Sequence, residues 1–424
     1  MHMDSREHRK LTRRDLLRGG AGATGAAALV LAIGHARAEP DAPPDSQPEP
    51  ARPAAPGDTT KAPGQSMQPL AERSRFEQPR RRVFESMQGI ATTPIQDQDG
   101  ILTPTDVHFT RHHAGIPMID PASWRLYVHG LVTQPRVFDL ADLRRLPSRS
   151  QICFIECSGN GVSSLQGGRP GRTPEAVDGA TSCAEWTGVP LSVLLREVGA
   201  SPAAKWLLAE SEDGARYSRS IPLPEVLGDA MLAYGQNGEP LRPEQGYPVR
   251  LLIPGFEGSS QVKWLRRIEL GESPWWTREE TARYTDILPS GKIRVFALVM
   301  EAKSIITQPT FPRRIAPGWW EIRGLAWSGR GRIARVDVST DGGASWQPAA
   351  LDAPILPKAH TRFRLPWRYG GGRAVLMSRA TDETGAVQPT AEELRRGRVP
   401  GNDYHNNSVR AWLVEEDGRI FFRG

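Results

Sequence analysis

The chain holds 424 residues, 38% of them hydrophobic and 24% charged, with a formal net charge of +6. That length exceeds what one hydrophobic core usually serves and predicts two globular domains. Seven Lys/Arg against three acids in residues 1–38 account for +4 of the charge and leave +2 on the body, which excludes a dedicated nucleic-acid binder.

Residues 1–38 read as an export signal. Arg13 and Arg14 precede a weakly apolar, Gly/Ala-rich stretch at 19–34, and Ala36-Arg37-Ala38 supplies a small-x-small cleavage site, so a twin-arginine signal cleaved after Ala38 and a periplasmic location are expected. The apolar stretch falls short of the roughly 20 residues a spanning helix needs, so no membrane span is expected. Residues 39–84 read as a Pro-rich disordered linker, because ten of the 37 prolines fall in 39–80 and such a stretch buries too little apolar surface to offset its ordering entropy.

Residues 85–288 read as a mixed α/β domain. The alternation at 124–130 predicts a strand, and 138–143 a short helix with acidic residues in its first turn. The run Ile152-Cys153-Phe154-Ile155-Glu156-Cys157 is apolar at strand spacing and ends in a thiol, followed at once by the polar turn Ser158-Gly159-Asn160-Gly161. That pattern places one sulfur at the mouth of a sheet, although a cysteine taken alone reads more readily as a small buried hydrophobe. Leucine and valine recur at helical spacing over 191–198, and Gly199 supplies the stop. The stretch 247–255 reads as a buried strand bounded by turn residues.

The three cysteines, Cys153, Cys157 and Cys183, cannot form a disulfide framework for a chain of this length, and the odd count in an exported protein leaves a thiol to explain. No C-x-x-C-H is present, so no haem is expected on this chain, and no paired C-x-x-C or H-E-x-x-H points to zinc. Neither G-x-G-x-x-G nor a P-loop occurs, which argues against a nucleotide enzyme.

Beyond residue 288 the pattern becomes all-β. Stretches 293–300, 320–327, 332–339, 362–367 and 373–380 read as strands, with Asp341-Gly342-Gly343 as a hairpin turn. Short strands at that spacing suggest an immunoglobulin-like sandwich over 289–424.

Several segments together resemble the sulfite oxidase family of molybdenum enzymes. They are Leu102 to Asp106 with Phe109-Thr110-Arg111-His112-His113, Cys157-Ser158-Gly159-Asn160, Glu185 to Leu191, Gly246 to Arg250, and Gln261-Val262-Lys263-Trp264-Leu265. Four further stretches, 234–244, 276–281, 325–331 and 404–408, look closest to the SoxC branch, the molybdenum subunits of sulfane dehydrogenases. The resemblance implies an α+β fold, a sulfite-oxidase-type molybdopterin-binding domain followed by an all-β immunoglobulin-like dimerisation sandwich. It implies a molybdenum cofactor (Mo-molybdopterin), with Cys157 as the metal ligand, since a soft metal site suits a thiolate. Arg111 and Tyr284 match active-site positions facing the substrate. An arginine fork suits an anionic sulfur species, and a tyrosine hydroxyl can donate to an oxo ligand. Phe109, Arg111, His113, Asp213, Gln245, Arg250, Gln261, Val262 and Lys263 fall on cofactor-binding positions. Outside these motifs Arg111 would read as a surface ion-pair residue, and His113 and Tyr284 as core or half-buried residues.

The departures from the family pattern bear on substrate. Sulfite oxidases carry two arginines where this chain has Gly161 and Val162, an active-site tryptophan position reads Ala176, and a pterin-binding histidine position reads Gln245. Fewer cations suit a small dianion less well and a persulfide on a sulfur-carrier protein better. The expected activity is oxidation of carrier-bound sulfane in thiosulfate oxidation, with electrons passed to a c-type cytochrome subunit and a homodimer of this chain. A sulfite dehydrogenase is the nearest alternative and a reductase of oxidised methionine a more distant one. A cofactor-free exported binding module is the alternative of a different class.

Overall fold

The computed structural model describes residues 66–84, 89–164, 171–399 and 404–424. The expected signal at 1–38, the expected linker as far as residue 65 and residues 165–170, just after the departing positions Gly161 and Val162, lie outside the described residues. Residues 66–71 are irregular, bend at 69–70 and are exposed, and residues 72–424 form one unit. No helix among the described residues is long and apolar enough to cross a membrane.

The end of the stretch read as linker, Arg82–Phe84, forms a strand instead (β1), because it finds a pairing edge in β2 (Ile90–Thr92), which continues to β3 (Thr110–Arg111). After β4 (Leu126–Gly130) and β5 (Arg136–Phe138), α1 (Leu140–Arg145) starts at a capping box in which Asp139 accepts from the Asp142 amide. Such a reciprocal cap satisfies amides that would otherwise lack partners at a helix start.

Strand β6 (Arg149–Glu156) pairs antiparallel with β7 (Thr181–Pro190), and α2 (Pro174–Asp178) lies between them in sequence. The run in β6 is continuously apolar because both its faces are covered. Cys153 and Ile155 pack into a core with Trp186 and Met231, whereas Phe154 joins the core of the C-terminal sandwich with Trp327 and Phe363. Helix α3 (Leu191–Glu197) ends where predicted, with Gly199 at φ +64.

Next come β8 (Trp206–Ser211), β9 (Ser218–Pro222), α4 (Leu223–Val226), β10 (Met231–Gln236), β11 (Glu239–Pro240), β12 (Arg250–Leu252) and β13 (Leu265–Gly271). One sheet runs β11-β10-β7-β6 with β12 on β10, and a second runs β5-β4-β13-β8-β9, in which β13 and β4 are parallel. The strand expected over 247–255 is shorter, since Pro248 has no amide to donate and the chain turns at Gly255 (φ +83).

After α5 (Arg278–Ala282), β14 (Asp286–Ile287) and β15 (Ile293–Arg294) make a hairpin across the expected domain boundary at 288. The strand expected over 293–300 stops at Arg294. Phe296 takes φ +57 and its ring packs against Trp206 at 4.8 Å and Trp276 at 5.5 Å, so this aromatic contact replaces the extended course.

The sandwich pairs two antiparallel sheets. One contains β16 (Lys303–Gln308), β17 (Gly318–Trp327), β20 (Ala350–Leu351) and β21 (Thr361–Tyr369). The other contains β18 (Ile333–Ser339), β19 (Gln347–Pro348), β22 (Ala374–Asp382), β23 (Ala411–Val414) and β24 (Ile420–Phe422), with α6 (Ala391–Arg396) between β22 and β23 in sequence. Its core of Ile305, Ile322, Trp327, Val336, Phe363, Leu376 and Trp412 alternates inward along the strands. The fold is thus the expected α+β domain followed by an all-β sandwich.

Candidate active site

A cleft opens where the loops that follow β3, β6, β8, β12 and α5 converge. Loops on a rigid sheet scaffold are where reactive side chains are usually held. All eleven residues that the sequence picked out line it: Phe109, Arg111, His113, Cys157, Asp213, Gln245, Arg250, Gln261, Val262, Lys263 and Tyr284.

Cys157 lies just past the end of β6, and its amide donates to the Ala180 carbonyl at 3.0 Å. Cys153 and Cys183 are fully buried in the cores, and all three cysteines are free. Burial pushes the Cys157 thiol above its ordinary pKa, with the Gly159 amide pulling the other way, so the thiol is protonated near neutrality and a metal would have to displace its proton.

One half of the cleft is built for a buried polar ligand. Arg250 is 3% exposed, stacks its guanidinium 5.0 Å from the Trp186 ring and donates to the carbonyls of Gln245 and Gln261. Lys263 donates to Thr110 Oγ1 at 2.9 Å and the Glu244 carbonyl at 2.8 Å. Burial first, then the Arg250 charge, hold its amine well below the usual lysine range. Gln245 donates from Nε2 to the Phe109 carbonyl at 3.1 Å.

Three buried atoms on cleft-lining residues, Arg250 Nε, Gln261 Oε1 and His108 Nε2, have no protein partner. Buried polar atoms are otherwise almost always paired. His108 Nδ1 lies 2.9 Å from the Phe109 carbonyl, which can only accept, so Nε2 is left as an acceptor. Two acceptors, one donor and two cations fit a pterin bearing an anionic phosphate, so the donor set fits the cofactor the family implies.

The other half presents Arg111, His113 and Tyr284. Arg111 donates from Nη1 to the His112 carbonyl at 2.7 Å and the Gly89 carbonyl at 3.2 Å. His113 stacks on Tyr217 with centroids 5.1 Å apart and planes within 1°. Burial and then Arg111 lower its pKa to about 4, so it works as a neutral ring. Burial raises the pKa of Tyr284, followed by the neighbouring Tyr217 and Cys157, which keeps it an O–H donor.

A buried charge network backs Tyr284. The Arg219 guanidinium lies 5.0 Å from the Tyr284 ring and pairs with Glu257 and Glu280, each at 2.9 Å. Glu280 also accepts from the amide and hydroxyl of Thr277 at the start of α5. Glu257 reaches His405 Nε2 at 2.9 Å, and His405 Nδ1 lies 3.7 Å from Asp286. Against the cost of burial, these two carboxylates raise the His405 pKa to about 9; against the same cost, Arg219 and then His405 hold Glu257 below the usual carboxylate range, and His405 and then Arg294 do so for Asp286.

A raised histidine stabilises the fold fully below its ordinary value near 6.5, and that contribution fades as pH rises through about 9. The loss is on the order of 3 kcal/mol. Thermal unfolding midpoints should therefore fall by several degrees between about pH 6.5 and pH 9.5, and His405→Gln should flatten that slope. An unchanged slope in the variant would remove His405 as the cause.

Gly161, one of the departing positions, has φ +82, and a Cβ there would lie 2.2 Å from Arg410 Nη2 and 2.7 Å from Asp178 Oδ1. The Arg410–Asp178 pair thus occupies the space a side chain would need. Ala176 lies on α2 and is not among the residues lining the cleft. Residues the sequence did not single out complete the wall, chiefly His108, Tyr217, Ser259 and Trp264. Tyr217 donates to the Ser259 carbonyl at 2.9 Å and Trp264 Nε1 to the Pro243 carbonyl at 2.9 Å. No local pattern marks Tyr217, whereas His108 stands beside the flagged Phe109 and Trp264 beside Lys263.

Comparison with known proteins follows the same division. Residues 113–278 match the family model for an oxidoreductase molybdopterin binding domain, and residues 294–411 match that for a Mo-co oxidoreductase dimerisation domain. Sulfite oxidase of Gallus gallus is 32% identical over 312 residues, covering 68% of this chain and 68% of its own length. The mitochondrial sulfite oxidase of Homo sapiens is 31% identical over 321 residues, 69% of this chain and 58% of that protein. Among solved structures, the sulfane dehydrogenase SoxCD of Paracoccus pantotrophus superposes with a TM-score of 0.84 at 42% identity, covering 86% of this chain and 96% of that one.

Proposed function

This chain belongs to the sulfite oxidase family of molybdenum oxidoreductases and stands close to SoxC, and from that premise we propose that it oxidises carrier-bound sulfane sulfur in the periplasm. The molybdenum cofactor supplies two-electron redox chemistry and oxygen transfer when bound. The first two-electron step would convert R–S–S⁻ and water to R–S–SO⁻ with release of two protons and two electrons, each further step would add one more oxygen from water with the same release, and a c-type cytochrome subunit would take the electrons. Cys157 would hold the metal, and Arg250, Lys263, Gln245, Gln261, Val262, Phe109, His113 and Asp213 would hold the pterin and its phosphate. Arg111 would orient the anionic sulfur, and Tyr284 would donate a hydrogen bond at the reacting atom. The chain would work as a homodimer through its sandwich and reach the periplasm by the twin-arginine route, with cleavage after Ala38.

The observation that carries the substrate choice is the Arg410–Asp178 pair at Gly161. A side chain at Gly161, four residues after Cys157, would run into a guanidinium already paired with a carboxylate, so this chain carries no further cation at that position. A small dianion gains little there, whereas a singly charged persulfide needs one arginine. The second reading, oxidation of free sulfite, is favoured by the 32% identity to a sulfite oxidase.

The test is molybdenum content together with cytochrome c reduction by sulfite and by a persulfidated carrier, on protein purified from the periplasm. About one metal per chain and carrier-dependent reduction are expected. Fast reduction by free sulfite would move the assignment to sulfite dehydrogenase, and metal-free, correctly exported protein would overturn both.

A further inference from the structure

The turn that carries Cys157 is tied down from a domain remote in sequence. Glu156, immediately before Cys157, accepts from Lys303 Nζ at 2.9 Å and from Trp327 Nε1 at 2.7 Å. The Ser158 carbonyl accepts from the His405 amide at 2.7 Å. The Gly161 carbonyl accepts from Asn406 Nδ2 at 2.9 Å. Asn160 donates to Glu156 and to the Asp178 carbonyl, and its own oxygen accepts from the Ala180 amide. Asp178 in turn pairs with Lys303 at 2.7 Å and with Arg410 at 2.8 Å. Every sandwich residue named here lies beyond 288.

Two carboxylates and two cations, with side chains at most 1% exposed, make this cluster electroneutral. Exposed pairs contribute little, but removing one partner from a buried cluster strands a charge in low dielectric. The cluster closes both ends of the six-residue segment 156–161, whose second residue carries the thiol. It also fixes Gly161 in the left-handed region against Arg410.

We propose that the C-terminal sandwich supports the catalytic site from outside the cleft, with Lys303, Asn406 and Arg410 as positioning residues that hold the 156–161 turn and the Cys157 thiol, separately from any role in dimerisation. The proposal deepens the reading of Cys157 as the functional thiol. Its consequence is that loosening the sandwich contacts exposes and misplaces Cys157 without dissociating subunits.

Alkylation of Cys157 by iodoacetamide in cofactor-free, full-length protein reads the turn directly, because Cys153 and Cys183 are fully buried. Asn406→Ala should raise the alkylation rate about tenfold through local opening, with sedimentation and near-UV circular dichroism unchanged. The loaded variant should lose kcat with KM nearly constant. Lys303→Met should act in the same direction and more strongly, and Lys303→Arg should restore protection in part.

Alkylation of Asn406→Ala within about twofold of wild type would overturn the proposal. So would a rate change that appears only with dissociation, or global unfolding of that variant. Molybdenum content of the wild type tests the ligand assignment separately. A protected turn in a protein that binds no metal would sink that assignment and leave the positioning role standing.

Discussion

Replacing Cys157 with serine is expected to lower turnover by roughly a thousandfold or more while the protein stays folded. The hydroxyl is a harder, less acidic donor than a thiolate and a poor ligand for a soft metal. No neighbouring thiol can take over, because Cys153 and Cys183 face the cores with 0% exposure. The swap removes no large apolar group, and the backbone of the turn keeps its bonds to Ala180, His405 and Asn406. Cytochrome c reduction and circular dichroism on the purified variant check both halves. Activity near the wild-type level in a metal-loaded serine variant would sink the ligand assignment.

Lys263→Met should separate stability from cofactor binding. In the cofactor-free protein this buried amine sits near Arg250, with its pKa forced well down by burial, and only neutral oxygens accept from it. A methionine of similar length removes that desolvation cost, so the cofactor-free variant should unfold at the same temperature as wild type or higher. The lost cation should weaken binding of an anionic cofactor, and molybdenum content should drop by about tenfold or more. Arg250 remains to supply one charge, which is why the loss should fall short of complete. Thermal melts of cofactor-free protein beside metal analysis of protein as purified give both readings. A variant that is destabilised yet retains full metal would show that Lys263 serves the fold rather than the ligand.

Both predictions concern residues that were legible in the chain as written. Cys157 was visible because it ends an apolar run at a glycine-rich turn, and Lys263 because it belongs to a motif that retains its spacing. The acidic first turn of α1, two residues later than the helix expected over 138–143, the stop at Gly199 and the hairpin glycines at 342 and 343 were readable for the same reason, since each depends on bonds or dihedrals within a few residues. Reading failed where a distant contact overrode the local pattern. Phe296 leaves the extended course to stack on Trp206 and Trp276, and β1 exists only because β2 offers an edge.

The sequence by itself determined the family, the two-part architecture and eleven of the residues that line the cleft, because short motifs and strand periodicity are local properties of the chain. Only the tertiary structure decided which charges are buried together. Arg219, Glu257, Glu280 and His405 meet behind Tyr284, and Glu156, Asp178, Lys303 and Arg410 meet beneath Cys157, with partners separated by as many as 148 and 232 residues. A lone lysine, arginine or glutamate in a sequence reads as a solvated surface group. Burial and pairing with a carboxylate or cation from far along the chain make it part of a site, and no local pattern encodes either.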